Sequence, residues 1–138
     1  MACVSSLGRI PAAAIVCLLT STCAGGPAEP TSLPAGRWTG DAACLSVADQ
    51  GCDFVAGCGH GRFPPPAVGR DGAFTVDGTY RIEAGPISIE PAPPATFSGI
   101  VSGSTITLAV IPRDPALRPA SYVLRLTNGS GRCAVPCV

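Results

Sequence analysis

From Ala35 onward the apolar residues recur at every second position rather than every third or fourth, which is the spacing of half-buried β-strands. Leu45 and Val47 alternate with Ser46 and Ala48 before a turn at Asp49, Gln50 and Gly51, and Cys52, Phe54, Ala56 and Cys58 share one face of the next strand. Pro64, Pro65 and Pro66 break the pattern. Asp71-Gly72 is then a hairpin signal that feeds Phe74, Val76, Tyr80 and Ile82. Beyond Pro91, Pro93 and Pro94 a strand is expected from Phe97 to Val101, a turn at Ser102, Gly103 and Ser104, and a strand lined by Ile106, Leu108 and Val110. Tyr122, Leu124 and Leu126 line the next strand, and Asn128-Gly129 reads as a type I′ hairpin signal before an end segment from Arg132 to Cys137. The pattern therefore predicts an all-β domain, a small antiparallel meander of seven or eight strands. Its short connections suit either a closed barrel or two packed sheets, and closure would remove the exposed edges.

The chain before this domain has a different character. Met1 to Arg9 carries one side-chain cation, and Ile10 to Leu19 is an apolar run too short to span a bilayer but of the length found in an export signal. Thr20, Ser21, Thr22 and Cys23 follow, then Ala24, Gly25 and Gly26. A cysteine among small residues at this point is where a bacterial lipoprotein signal is cut, although Leu19 stands one position further from it than usual. The reading is a signal peptide over 1–22, with lipidation at Cys23 or ordinary cleavage near Cys23 to Gly26. Three Pro and two Gly without hydrophobic period mark Ala24 to Pro34 as a flexible tether, so that segment 23–34 would hold a single domain, 35–138, away from a membrane.

Composition agrees with export. The 138 residues include 8 Cys, 17 Gly, 15 Pro and a single His, with nine Arg, no Lys and nine acidic residues. The basic residues form no stripe, which argues against nucleic acid as a partner. Cys3 and Cys17 leave with the signal, and the remaining Cys23, Cys44, Cys52, Cys58, Cys133 and Cys137 read as disulfide staples of an oxidising compartment. A lipidated Cys23 would leave five, one of them unpaired. No C-x2-C pair occurs and His60 is the only imidazole, so neither a metal nor another cofactor is expected.

Gly36, Arg37, Trp38, Thr39 and Gly40 form a G-x-W-x-G motif at the opening of the meander. It resembles the start of the calycin superfamily of lipocalin-like and avidin-like barrels. That resemblance implies that Trp38 plugs one barrel end and that a basic side chain near the C-terminus packs on it by a cation–π contact, with Arg132 the first candidate and Arg125 the second. Over nearly the whole of Ala35 to Val138 the chain also resembles a group of small exported bacterial proteins to which no activity is attached. The matching residues are Gly36 to Gly40, Leu45 to Val47, Cys58 to Gly61, Asp71 to Phe74, Gly78 to Tyr80, Thr105 to Leu108 and Cys137. The group's two common cysteines correspond to Cys58 and Cys137, which implies a disulfide between them. Cys44 and Cys52 fall on opposite strand faces if Leu45, Val47 and Phe54 point inward, which argues against a simple pair between them. Cys133 is expected to take one of the two, and the pattern does not choose.

Chemistry-bearing residues are sparse. His60, between Gly59 and Gly61, is the one candidate ligand contact, and the carboxylates fall mainly at turns or outward positions. No catalytic residue is singled out. The expectation is a non-enzymatic, exported β-barrel lipoprotein in a bacterial periplasm or on an outer membrane, binding an unidentified envelope protein or small molecule. Two alternatives are a secreted protease inhibitor using Pro30 to Arg37 as a mobile arm, and a small-ligand carrier, for which the few aromatics and small inward side chains leave little room.

Overall fold

The structure, a computed structural model, describes residues 30–83 and 91–137. The predicted signal peptide and Cys23 lie outside the described residues. Strands β1 (Thr31–Ser32), β2 (Gly36–Gly40), β3 (Ala43–Ala48), β4 (Gly51–Ala56) and β5 (Gly59–Phe63) are followed by β6 (Ala67–Val68), β7 (Ala73–Ile82), β8 (Pro94–Ser102), β9 (Thr105–Pro112) and β10 (Ala120–Thr127). Eight of them close an antiparallel barrel in the order β2, β3, β4, β5, β7, β8, β9, β10, and β10 returns to pair with β2 through Arg125–Thr39, Leu126–Trp38 and Thr127–Arg37. The meander predicted from the alternation is thus a closed barrel rather than two packed sheets.

The period-two pattern becomes an inside and an outside. Trp38, Leu45, Phe54, Phe97, Ile106, Leu108 and Leu124 are all fully buried, while Asp53, Arg62, Thr75 and Asp77 occupy outward positions of the same strands. The lumen is apolar, and the exterior mixes these polar residues with exposed Ile82, Ile100, Ile111 and Val123. Rings fill the lumen where the opposite strand has no side chain. A Cβ on Gly61 would lie 2.7 Å from Phe97 Cζ, and Phe63 stacks on the same ring with centroids 4.4 Å apart. The small residues that the sequence places inside are therefore sockets for aromatics, and the lumen is packed rather than open.

Four local expectations change. Cys58 does not continue the Cys52 strand, because Gly57, in the left-handed region at φ 55°, and Cys58 form a two-residue turn between Ala56 and Gly59. The Asp71-Gly72 signal marks a real turn, with Asp71 Oδ1 accepting from Ala73 N at 3.0 Å, but it leads into β7 from β6, and β6 pairs with β1 instead of β7. Asn128-Gly129 makes no hairpin. The β10–β2 pairing that closes the barrel leaves no edge for a further strand, and residues 128–137 run as irregular chain. Finally, the end of the expected tether belongs to the fold: Thr31 and Ser32 pair with Val68 and Ala67, Leu33 is buried, and Pro34 O accepts a hydrogen bond from Trp38 Nε1 at 3.2 Å. Of the arm expected over Pro30 to Arg37, Thr31 and Ser32 are therefore strand-paired and Leu33 is buried, while Pro30, Pro34 and Ala35 are exposed.

A strap and a charged cleft on the outer face

The chain after β10 crosses the outside of the barrel as a strap. Cys133 is bonded to Cys44 on β3 with Cα atoms 5.6 Å apart, and Cys137 to Cys58 in the β4–β5 turn with Cα atoms 4.6 Å apart. The Cys58–Cys137 bridge is the one implied by the resemblance. The register explains why Cys133 takes Cys44 and not Cys52. Cys44 stands opposite Thr39 and Val55 on the outer face, whereas Cys52 is paired with Val47 and belongs to the inner cluster. Cys44 and Val55 are nonetheless buried, at 4% and 7% exposure, as expected of outward residues lying under a strap. Cys52 remains a thiol, and its burial, with the Asp53 charge adding, pushes its pKa up from 9.0 to about 12.

Between the strap and the outer faces of β4, β5 and β7 lies a cleft of about 240 Å³, lined by Asp53, His60, Arg62, Arg81, Glu83 and Arg132 among others. Strand register assembles it. Asp53 is opposite Arg62 and His60 opposite Arg81, so alternation puts all four on the outside. Arg62 Nε donates to Asp53 Oδ1 at 2.9 Å. Glu83, just past β7, is held by its backbone, which donates to Cys58 O at 2.8 Å, while its carbonyl lies 3.7 Å from Cys137 Sγ. Its carboxylate takes Arg81 Nε at 2.9 Å and Nη2 at 2.6 Å on Oε1, and lies 3.2 Å from His60 Nε2 through Oε2. The Arg81 hydrogen bond, aided by the charges of His60 and Arg81 and opposed by desolvation, holds the Glu83 carboxyl below its usual range. The disulfide strap and the His60 cluster thus meet at one residue.

Other sequence candidates fall elsewhere. Trp38 is fully buried in the core and donates to Pro34 O. Arg132 does not cover it: it is exposed on the strap and lines the cleft with Asp53 and His60, across the sheet from Trp38. Arg125 is paired with Thr39 rather than with Trp38, so alternation turns it outward as well. The cation–π closure implied by the calycin resemblance is therefore replaced by a hydrogen bond to the chain entering β2. The strap explains the difference, because two disulfides pull the C-terminal basic residue to the outer face. Among the described residues no cluster of three or more His, Cys, Asp or Glu is placed to hold a metal.

Sequence reasoning found His60 but missed Arg81 and Glu83. They lie at the end of a strand and just past it, more than 20 positions away, and only the β5–β7 register, broken in sequence by β6, brings them beside the ring. The pairing of C-x-H-G with the strand that carries G-T-Y is the signal available for them.

Fold and site together define a closed eight-stranded antiparallel barrel, apolar inside, with a disulfide-fastened C-terminal strap over a charged outer cleft. No protein-family model, curated protein or solved structure matches the chain.

Proposed function

We propose that this is an exported bacterial lipoprotein, anchored through Cys23, whose barrel serves as a non-enzymatic binding module. The observation that carries the reading is the disposition of the cysteines. Two bridges use Cys44, Cys58, Cys133 and Cys137, and the one free thiol among the described residues, Cys52, is walled into the core. Cys23 is then left without an accessible cysteine partner among the described residues. A lipid on its sulfur resolves that excess thiol, and two disulfides fit an oxidising compartment.

The packed lumen favours binding on the outside over carriage inside, since Trp38, Phe54 and Phe97 occupy the space a calyx would need. The cleft beneath the strap is the best-formed polar surface for this role. The test is a Cys23→Ala chain expressed in the native host. The wild-type chain is expected in the membrane fraction and the variant in the soluble exported fraction; an unchanged distribution would overturn the anchored reading.

A further inference from the structure

We infer that the cleft under the strap is a binding site for an oxyanion, the carboxylate or phosphate group of a small ligand. The inference deepens the outer-face binding reading and does not depend on the anchor at Cys23. It stands on charge and geometry. Among the described residues, three guanidinium groups, Arg62, Arg81 and Arg132, face two carboxylates, Asp53 and Glu83, across one cavity of about 240 Å³. Each carboxylate already has an arginine of its own: Arg62 holds Asp53 at 2.9 Å, and Arg81 holds Glu83 through Nε and Nη2. The remaining cation is Arg132, which has neither an ion-pair nor a hydrogen-bond partner among the described residues.

Arg132 does not reach the cleft by chance of a loose terminus. It directly precedes Cys133, whose bond to Cys44 fixes the strap to β3, and Gly131 O accepts from Ser46 Oγ at 3.4 Å. Its position opposite the His60–Glu83–Arg81 cluster is therefore built into the covalent frame. Arg62 uses its Nε on Asp53, and its side chain is 79% exposed. A planar fork with terminal donors to spare, beside a second, unpartnered guanidinium, is the arrangement that takes a carboxylate or phosphate through two parallel bonds. Thr79, opposite Arg62 on β7, lies in the same wall. Arg81 and Glu83 are partly covered, at 24% and 35% side-chain exposure, while the Arg62 and Arg132 guanidinium groups stay open to an incoming anion at the rim.

The two sources of such a group are separated by probe. The full chain, with both disulfides formed and labelled with 15N, is titrated with inorganic phosphate in one arm and acetate in the other, at constant ionic strength set by chloride. The Arg Nε–Hε signals are followed. Saturable shifts of Arg132 and Arg62 are expected, and the anion that binds more tightly identifies the ligand group as phosphate or carboxylate. Arg132→Gln should weaken that binding by about 10-fold or more, as loss of one charge-assisted pair does, while Arg125→Gln on a different part of the outer surface should leave it unchanged. Shifts that stay linear in both arms would overturn the proposal, as would equal weakening by Arg132→Gln and Arg125→Gln. Both substitutions replace exposed side chains, and an unchanged amide fingerprint confirms the fold. Such a failure would leave the Cys23→Ala fractionation standing, so the two readings fail separately.

Discussion

The two disulfides are not independent, and their coupling can be worked from the connectivity. Cys44–Cys133 alone closes a loop with a sequence separation of 89, and Cys58–Cys137 alone one of 79. In the chain-entropy account either bridge by itself is worth about 4.5 kcal/mol. Once one is formed, however, the second closes only the short ring from Cys44 to Cys58 and from Cys133 to Cys137, about 18 residues, and contributes about 3 kcal/mol. Replacing Cys44 and Cys133 by Ser, or Cys58 and Cys137 by Ser, should therefore each cost about 3 kcal/mol, whereas replacing all four should cost about 8 kcal/mol. Urea unfolding followed by Trp38 fluorescence reads this directly. At a slope of about 1.5 to 2 kcal/mol/M, each paired substitution should lower the midpoint by about 1.5 to 2 M and the four-serine chain should be unfolded or nearly so. In the folded chain the burial and high pKa of Cys52 keep it from exchanging with the bridges, and unfolding at about pH 5 keeps the exposed thiol protonated once the chain opens. A four-serine chain no less stable than either paired variant would refute the reasoning, because the strap would then be constraining the unfolded chain by only one bridge's worth.

Four further outcomes follow from the packing, the turns and the buried thiol. Gly61→Ala puts a Cβ 2.7 Å from Phe97 Cζ and should destabilise by about 1 to 3 kcal/mol, read as a lower urea midpoint. At the β2–β3 turn both Asp41 and Ala42 have positive φ, 51° and 54°, and Asp41 Oδ2 accepts from Val123 N at 2.6 Å. Asp41→Ala should therefore cost about 1 to 2 kcal/mol, and Ala42→Gly should gain about 0.5 to 1 kcal/mol, by the same unfolding assay. The raised pKa of Cys52 makes stability fall with alkali: the folded state keeps the thiol protonated, so its contribution is complete below about pH 9 and is lost as the pH rises toward 12. Tyr80, also raised by burial, adds to that fall above pH 10. Cys52→Ala should flatten the decline between pH 9 and 10, before Tyr80 contributes.

Much of the barrel is legible in alternation alone. Ile106, Leu108 and Val110, or Tyr122, Leu124 and Leu126, announce their strands because a half-buried strand needs nothing more than a period of two. The β4–β5 hairpin was hidden because Ala56 and Cys58 keep that period across the Gly57 turn, so the pattern runs on where the chain reverses. The strap is obscured for the opposite reason. Asn128-Gly129 carries a strong local turn signal, but pairing is decided by whether an edge is open, and closure by β10 on β2 is a property of the whole sheet. Thr31 to Leu33 looked like tether because two residues pairing with β6 and one buried leucine are too short a stretch to show any period. Of the cleft, His60 stood out by being the sole imidazole. Its partners could be found only through register, and Arg132 only through the choice that Cys133 makes between an outward and an inward cysteine.

The central claim is a barrel with two bridges, one walled-in thiol and a lipid at Cys23, and intact-mass spectrometry of the protein from its native envelope tests it most directly, with a non-reducing peptide map beside it. The predicted result is the mass of residues 23–138 plus a lipid adduct, peptides joined as Cys44–Cys133 and Cys58–Cys137, and Cys52 alkylated only after unfolding. A lipid-free mass with six thiols released on reduction would contradict it, because Cys52 could then reach a partner only from outside the core in which the fold encloses it.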